Sequence, residues 1–286
     1  MGRRFDTVSF LSDLGTDSGT VGVVRAIVRE HAPHAVVIDL GHGIAPYDVR
    51  AGSLALARSI GYVPSGVVIA AVDAGPARRH VALEVAGGEG VLIGPDNGLL
   101  APAVAMVGGA ERAVVLDVAT HHLVSAGGSL PVRDIYAPVA ALLCTGAELT
   151  DIGSPVDIDA LLPGVLPLPR DDGGALVADV LWVNHLGDCQ LNVGPDEVGA
   201  PSRGARFEVH AGDVVRVAEW VEHADQLVPG ALGLTVDPYG MVAVVLARRS
   251  AAAELSLGPG EQLSVQRVEG GGVGAQPVVL RPPEVS

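Results

Sequence analysis

The chain contains no lysine. Its 18 basic residues are all arginines, set against 33 acidic residues for a net charge of −15. Without lysine there is no Schiff-base nucleophile and no phosphate-gripping lysine of the P-loop kind. The acidic balance disfavours nucleic acid and anionic membranes as partners, since both repel it. Cysteine is almost missing: Cys144 and Cys189 are far apart and form no CxxC, so neither a disulfide framework nor a thiolate zinc site is expected. Aromatic residues make up only 3% of the 286, which makes Tyr47, Trp182, Trp220 and Tyr239 conspicuous. Long hydrophobic runs are missing too. The composition is 49% apolar, yet the runs are strand-length and broken by Gly, Pro or Asp, short of the roughly 18 residues a membrane span needs. The opening Met1-Gly2-Arg3-Arg4-Phe5-Asp6 lacks the apolar centre of a signal peptide, and Asp6 argues against myristoylation. A soluble cytoplasmic protein is the expectation.

What is present alternates. Strand-like runs at residues 7–11, 35–40, 66–73, 81–85, 90–93 and 113–118 are interleaved with helical patterns at 21–31, 47–60, 99–107 and 133–145. Continuous Val/Ile/Ala runs such as AVVIDL and GVVIAAVD predict strands buried on both faces, hence a mostly parallel α/β sandwich. The texture then changes at a Pro/Gly-rich, acidic stretch around residues 164–174, which reads as a linker. Beyond it, short β-rich runs at 176–184, 207–210, 214–217, 241–246, 263–268 and 278–280 are separated by turns. They predict a smaller β-barrel domain. The expected division is an N-terminal domain at 1–163 and a C-terminal domain at 175–286, fraying from residue 270 onward.

Three successive strands end in polar punctuation: Ser12-Asp13-Leu14-Gly15, then Asp39-Leu40-Gly41-His42-Gly43-Ile44-Ala45-Pro46-Tyr47-Asp48, then Val72-Asp73-Ala74-Gly75-Pro76-Ala77-Arg78. In a parallel sheet these ends share one edge, where ligands bind. Each Asp taken singly is also a natural helix cap or turn residue. On pattern alone the reading stops at a nucleotide-like ligand or a metal, and a Mg²⁺-dependent phosphohydrolase using Asp13, Asp17, Asp39 and Asp73 stays open.

Taken in order, SDLGTD, DLGHGIAPYDV, VVIAAVDAGPARR, IGPDNGLL, RDIYAPVA and WVNHLGDCQLNV resemble the S-adenosyl-L-methionine hydroxide adenosyltransferases. That family also contains the fluorinase and chlorinase enzymes. The resemblance implies an α/β domain followed by a β-barrel, a homotrimer with its sites between subunits, and S-adenosyl-L-methionine as a small-molecule substrate. It implies no cofactor and no metal. Asp13 matches the carboxylate that accepts the ribose hydroxyls, in bidentate fashion. Thr16, Tyr47 and Val132 match ligand contacts, and Tyr47 reads equally as core. Asp73 stands where the hydrolytic members carry Asp and the halogenating members Tyr. A carboxylate repels halide but can orient water. Arg78 matches the arginine paired with that Asp. The implied reaction is displacement of methionine by water at ribose C5′, leaving adenosine.

The motifs also depart from the family. Pro131 stands where the hydrolytic members place a histidine, and Pro has no ionisable group. His121 and His122, nearby, read either as substitutes or as exposed loop residues. Asn184-His185-Leu186-Gly187-Asp188 replaces a pattern closer to Asp-x-Phe-Gly-Asn. Asn184 then meets the methionine end without charge, Leu186 offers apolar contact without stacking, and Asp188 faces adenine as an acceptor. These changes keep a second reading open, an adenosyl-binding homologue with weakened catalysis.

Overall fold

The computed structural model describes residues 4–123, 127–164 and 167–268. The chain divides into two units, Met1–Leu166 and Pro167–Ser286. In the first, β1 (Thr7–Ser12), α1 (Gly19–His31), β2 (Val36–Gly41), α2 (Val49–Ile60) and β3 (Gly66–Ala71) follow the predicted alternation. Next come β4 (His80–Val85), β5 (Gly90–Pro95), α3 (Ala101–Met106), β6 (Ala110–Leu116) and α4 (Val118–His121). A π turn (Val132–Tyr136) leads into α5 (Ala137–Cys144), α6 (Leu149–Ile152) and the edge strand β7 (Gly153–Pro155).

The sheet order is β2-β1-β3-β5-β4-β6-β7. The first four strands are parallel and the remaining pairs antiparallel, so five of the seven strands run one way. The mostly parallel expectation therefore holds, with antiparallel strands confined to one side. Alternate residues of β3 feed two cores: Val67, Ile69 and Ala71 lie in one, Val68 and Ala70 in the other. Each fully buried aliphatic side chain contributes roughly 1.5–3 kcal/mol. α1 lays Val21, Val24 and Val28 against the layer holding Val8 and Phe10, the spacing a helix face requires. Ser18 and Asp48 cap α1 and α2 through their side chains, so both helices start where the β1 and β2 loops finish.

The helix expected at 133–145 does not begin as an α-helix. Pro138 lacks the N–H that would bond the Asp134 carbonyl, and Leu123 N–H takes that carbonyl at 2.8 Å instead. The Ala137 N–H reaches back to Val132 O, which widens the turn to π geometry.

Two histidines in this unit are buried. His80 Nδ1 lies 2.7 Å from the Tyr136 hydroxyl, with the rings edge-on at 5.3 Å. His80 Nε2 has no hydrogen-bond partner. Burial holds the His80 pKa below 6.5 and pushes Tyr136 well above its usual value. A His with a depressed folded pKa adds stability above its unfolded pKa, and that stability is lost as pH falls through the folded value. The urea midpoint is therefore expected to drop as pH is lowered from about 7 to about 5. The double variant His80→Leu/Tyr136→Phe, which removes both polar partners together, should flatten part of that slope. An unchanged slope would show that His80 does not contribute.

The second unit contains β8 (Arg170–Asp172), β9 (Ala175–Val183), β10 (Cys189–Leu191), β11 (Arg206–Ala211), β12 (Val214–Trp220), β13 (Leu232–Val236), β14 (Val242–Leu246), α7 (Ala251–Leu255) and β15 (Gln262–Arg267). The order β10-β14-β13-β12-β11-β15-β9-β8, with β9 also pairing β10, closes seven strands into a barrel and leaves β8 outside the ring. Phe207, Val209, Leu234, Val244 and Val265 fill it. The expected linker at 164–174 is in part structured. Arg170–Asp172 pairs with β9 through a turn at Gly173 and Gly174, whose positive φ values of 65° and 92° suit glycine. The strand expected at 278–280 and the fraying expected from residue 270 lie outside the described residues.

Candidate active site

The loops after β1, β2 and β3 are stitched together. Asp13 N–H donates to Ala71 O at 3.2 Å, and Gly15 N–H to His42 O at 2.8 Å. The Asp13 carboxylate then reaches both neighbouring loops. Its Oδ2 accepts the N–H of Tyr47 at 3.0 Å and the N–H of Asp73 at 3.1 Å. Tyr47 and Asp73 have φ of +66° and +52°, a left-handed conformation that costs about 1–3 kcal/mol for a residue with a side chain. One carboxylate oxygen thus fixes two strained residues of the site.

Asp13, Leu14, Tyr47, Asp73, Leu130 and Val132 line a cavity of about 260 Å³. The structure therefore brings together four residues singled out from sequence: Asp13, Tyr47, Asp73 and Val132. Arg78 forms an ion pair with Asp73 from the rim, and its side chain is 47% exposed. Thr16 is exposed and does not line this cavity, because the turn at Gly15 carries it outward. Both Oδ2 lone pairs of Asp13 are occupied by amides, so only Oδ1 is open to a ligand, not both oxygens as expected. Tyr47 is 77% exposed, which removes the core reading of that side chain.

Pro131, which stands at the position of the expected histidine, is buried and does not line the cavity, whose wall here is the apolar Leu130 and Val132. The nearby histidines have other partners: His121 Nε2 lies 2.9 Å from Asp151 O, and His122 Nε2 lies 3.4 Å from Ser129 Oγ. Asp134, 1% exposed, holds the Leu130 N–H at 2.7 Å and Arg133. Arg133 and that N–H keep its carboxyl below the usual carboxylate range against the opposing effect of burial.

A larger cavity of about 420 Å³ is lined by Val81, Leu83, Leu100, Val104 and Ile158. Its buried acid, Asp96, is bound to Arg79 and the Leu162 N–H, and its second acid, Asp159, is exposed. The four carboxylates of the phosphohydrolase reading do not cluster. Asp39 pairs with Arg25, and no group of three potential metal ligands occurs among the described residues.

In the barrel unit, Asn184 and Asp188 line a cavity of about 530 Å³ with Trp182, Gln190, Asp237 and Tyr239. Asn184 Oδ1 accepts the N–H groups of Leu186 and Asp188 at 2.9 and 3.0 Å, and Nδ2 donates to Asp188 Oδ2 at 2.9 Å. Asn184 shapes the loop: its Oδ1 is occupied, and a ligand at this cavity would meet its second Nδ2 hydrogen. Leu186 is 63% exposed. Gly187, with φ +85°, sits where a Cβ would come within 2.1 Å of Ser250 Oγ. Asp237 was not singled out from sequence and lies in the turn between β13 and β14. Its Oδ1 organises that turn, and its Oδ2 accepts Gln190 from β10. Both thiols are inert: Cys144 and Cys189 are buried and free, and burial pushes each to about 12.

Residues 8–153 match the family described as the SAM hydroxide adenosyltransferase N-terminal domain. The (R)-S-adenosyl-L-methionine hydrolase of Salinispora tropica is 36% identical over 258 residues, covering 90% of this chain and 97% of that protein. The hydrolase of the same description from Salinispora arenicola is likewise 36% identical over 258 residues, with the same coverage of 90% and 97%. Among solved structures, an uncharacterized conserved protein from Thermotoga maritima superposes with a TM-score of 0.82 at 24% identity, covering 91% of this chain and 100% of that one. That likeness concerns the fold.

Proposed function

The chain belongs to the S-adenosyl-L-methionine hydroxide adenosyltransferase family, and from that membership we propose that it hydrolyses S-adenosyl-L-methionine to adenosine and L-methionine. The observation that carries the reading is the Asp73–Arg78 pair at the cavity that Asp13 also lines. In the proposed step, water attacks C5′ in line with the sulfonium. The C–O bond forms as the C–S bond breaks, the electron pair stays on sulfur as neutral methionine thioether, and the water gives up a proton to solvent. Asp73 orients the attacking water, and Arg78 balances the Asp73 charge. Because positive charge on sulfur is lost on the way to the transition state, a dry apolar wall favours departure, and Leu130 and Val132 supply one. Asp13 Oδ1 holds the ribose, with Tyr47 against the sugar. Asp188 and Leu186 meet the adenine.

We propose further that the working form is a homotrimer with its sites between subunits, acting in the cytoplasm without a cofactor. The openness of the cavity at Tyr47 supports the need for a further wall, and two free cysteines fit a reducing compartment. A solution mass below three chains of 29.0 kDa would overturn the trimer. No helix among the described residues is long and apolar enough to cross a membrane.

The test is chromatography of purified, EDTA-treated protein incubated with S-adenosyl-L-methionine. Adenosine and methionine should appear together in equal amounts. The loop role of Asn184 and Pro131 at the expected histidine position favour one second reading, a ligand-binding homologue with weakened turnover. Bound substrate with no adenosine above the uncatalysed background selects it.

A further inference from the structure

The turn that carries Asp13 is fastened by a residue that takes no part in the proposed chemistry. His42, just past β2, is 8% exposed, and its ring packs 4.6 Å from that of Phe10 on β1. Its Nδ1 lies 2.8 Å from Ser12 Oγ, and its carbonyl accepts the Gly15 N–H at 2.8 Å. Ser12 and Gly15 bracket Asp13, so His42 grips the turn at both ends.

The direction of the side-chain bond follows from the other nitrogen. His42 Nε2 lies 3.2 Å from Asp39 Oδ1, though without the alignment of a hydrogen bond. A carboxylate only accepts, so the ring proton belongs on Nε2 and Nδ1 offers a lone pair. Ser12 then donates its hydroxyl hydrogen to Nδ1 and keeps a lone pair for the Leu14 N–H at 3.4 Å.

We propose that His42 is a positioning residue for the hydrolysis: it holds the turn from Ser12 to Gly15 so that Asp13 Oδ2 meets the N–H groups of Tyr47 and Asp73. The inference rests on the hydrolase reading above for its kinetic consequence, but not for its structural one. Its logic is a chain of contacts. His42 fixes Ser12, Ser12 and Gly15 fix Asp13, and Asp13 fixes the backbone of Asp73, whose side chain faces the water.

The neutral ring is required. Burial first, and the nearby Arg25 second, hold the His42 pKa below 6.5. The charged groups facing it are Asp39 from β2 and Arg25 from α1, which pair with each other, while β1 presents only Phe10 and Ser12. Protonation would put a hydrogen on Nδ1 opposite the Ser12 hydroxyl. That hydroxyl would have to turn over, leaving its own hydrogen without an acceptor at a residue that is 0% exposed.

Two variants separate this role from mere packing. His42→Asn places an oxygen where Nδ1 sits and cannot become charged, whereas His42→Leu removes the acceptor. In ligand-free protein, amide hydrogen exchange of Tyr47 and Asp73 should accelerate at least about tenfold in His42→Leu and stay near wild type in His42→Asn. The kcat/KM of His42→Leu should fall about 10²-fold, as expected when a supporting shift misplaces a reacting group. His42→Asn should stay within about threefold and lack the acid limb expected of wild type below pH 6.5, the side to which burial lowers the His42 pKa. Unchanged amide protection in His42→Leu overturns the proposal. So does a His42→Asn protein as impaired as His42→Leu, which would leave only ring packing. If His42→Leu does not fold, the exchange and pH profile of His42→Asn decide the matter alone. Wild type that forms no adenosine would remove the hydrolase reading while the exchange results still test the turn.

Discussion

Replacing Asp73 with asparagine is expected to lower kcat for adenosine formation by about 10²–10³-fold with little change in KM, in the range attributed to a positioned proton-transfer group. The choice of asparagine matters. Asp73 has φ +52°, a conformation that Asn and Asp tolerate better than other residues with a Cβ. The backbone N–H that donates to Asp13 Oδ2 is also preserved. Asparagine therefore removes the charge and the ion pair with Arg78 while keeping the loop. Asp73→Ala removes the same charge but adds backbone strain, so its loss of activity mixes two causes. The water-orienting role proposed for Asp73 concerns a charge distribution that develops only as water approaches C5′, so the defect belongs in kcat. Steady-state kinetics with both variants measures this. Turnover unchanged in Asp73→Asn would take Asp73 out of the mechanism and leave the pair with Arg78 as a surface contact.

The N-terminal strands were legible because their signal is local. The run in β3 is apolar on both faces, and the polar turn that ends β1 marks the sheet edge. What stayed hidden depends on contacts distant in sequence. Nothing local shows that the Asp13 side chain would hold amides 34 and 60 residues away, or that Ser12 would find His42. The π turn was also masked, since its cause is a bond from Leu123 to a carbonyl that Pro138 leaves open. Strand β13 was missed because Gly233 interrupts the pattern; a Cβ there would meet the Leu227 side chain at 2.6 Å. Asn184 shows the same limit. Its ligand contact was implied by the resemblance, whereas the bonds that make it fasten its own loop show only in the folded chain.

Asp13 is the residue where these two kinds of contact meet, and two substitutions should separate them. Asp13→Ala leaves the Tyr47 and Asp73 amides without an acceptor while both residues stay in left-handed conformations. A stability loss of about 1–3 kcal/mol for each amide cut off from water is expected, together with collapse of activity because Asp73 is no longer held. Asp13→Asn behaves differently. Its side-chain oxygen can occupy the Oδ2 position and accept both amides, and its NH₂ group then stands in the place of Oδ1. The fold should survive with a loss of about 1 kcal/mol or less. Ribose hydroxyls that seek an acceptor would instead meet a donor, so KM should rise about 10–10²-fold, the size of a lost hydrogen bond to a charged group. Urea unfolding and steady-state kinetics on the two proteins give four numbers that the clamp and the ribose contact must jointly explain. Equal destabilisation in both variants would remove the clamp, because a neutral oxygen would then be no better than a methyl. An unchanged KM in Asp13→Asn would remove the ribose contact and leave Asp13 as a wholly structural residue.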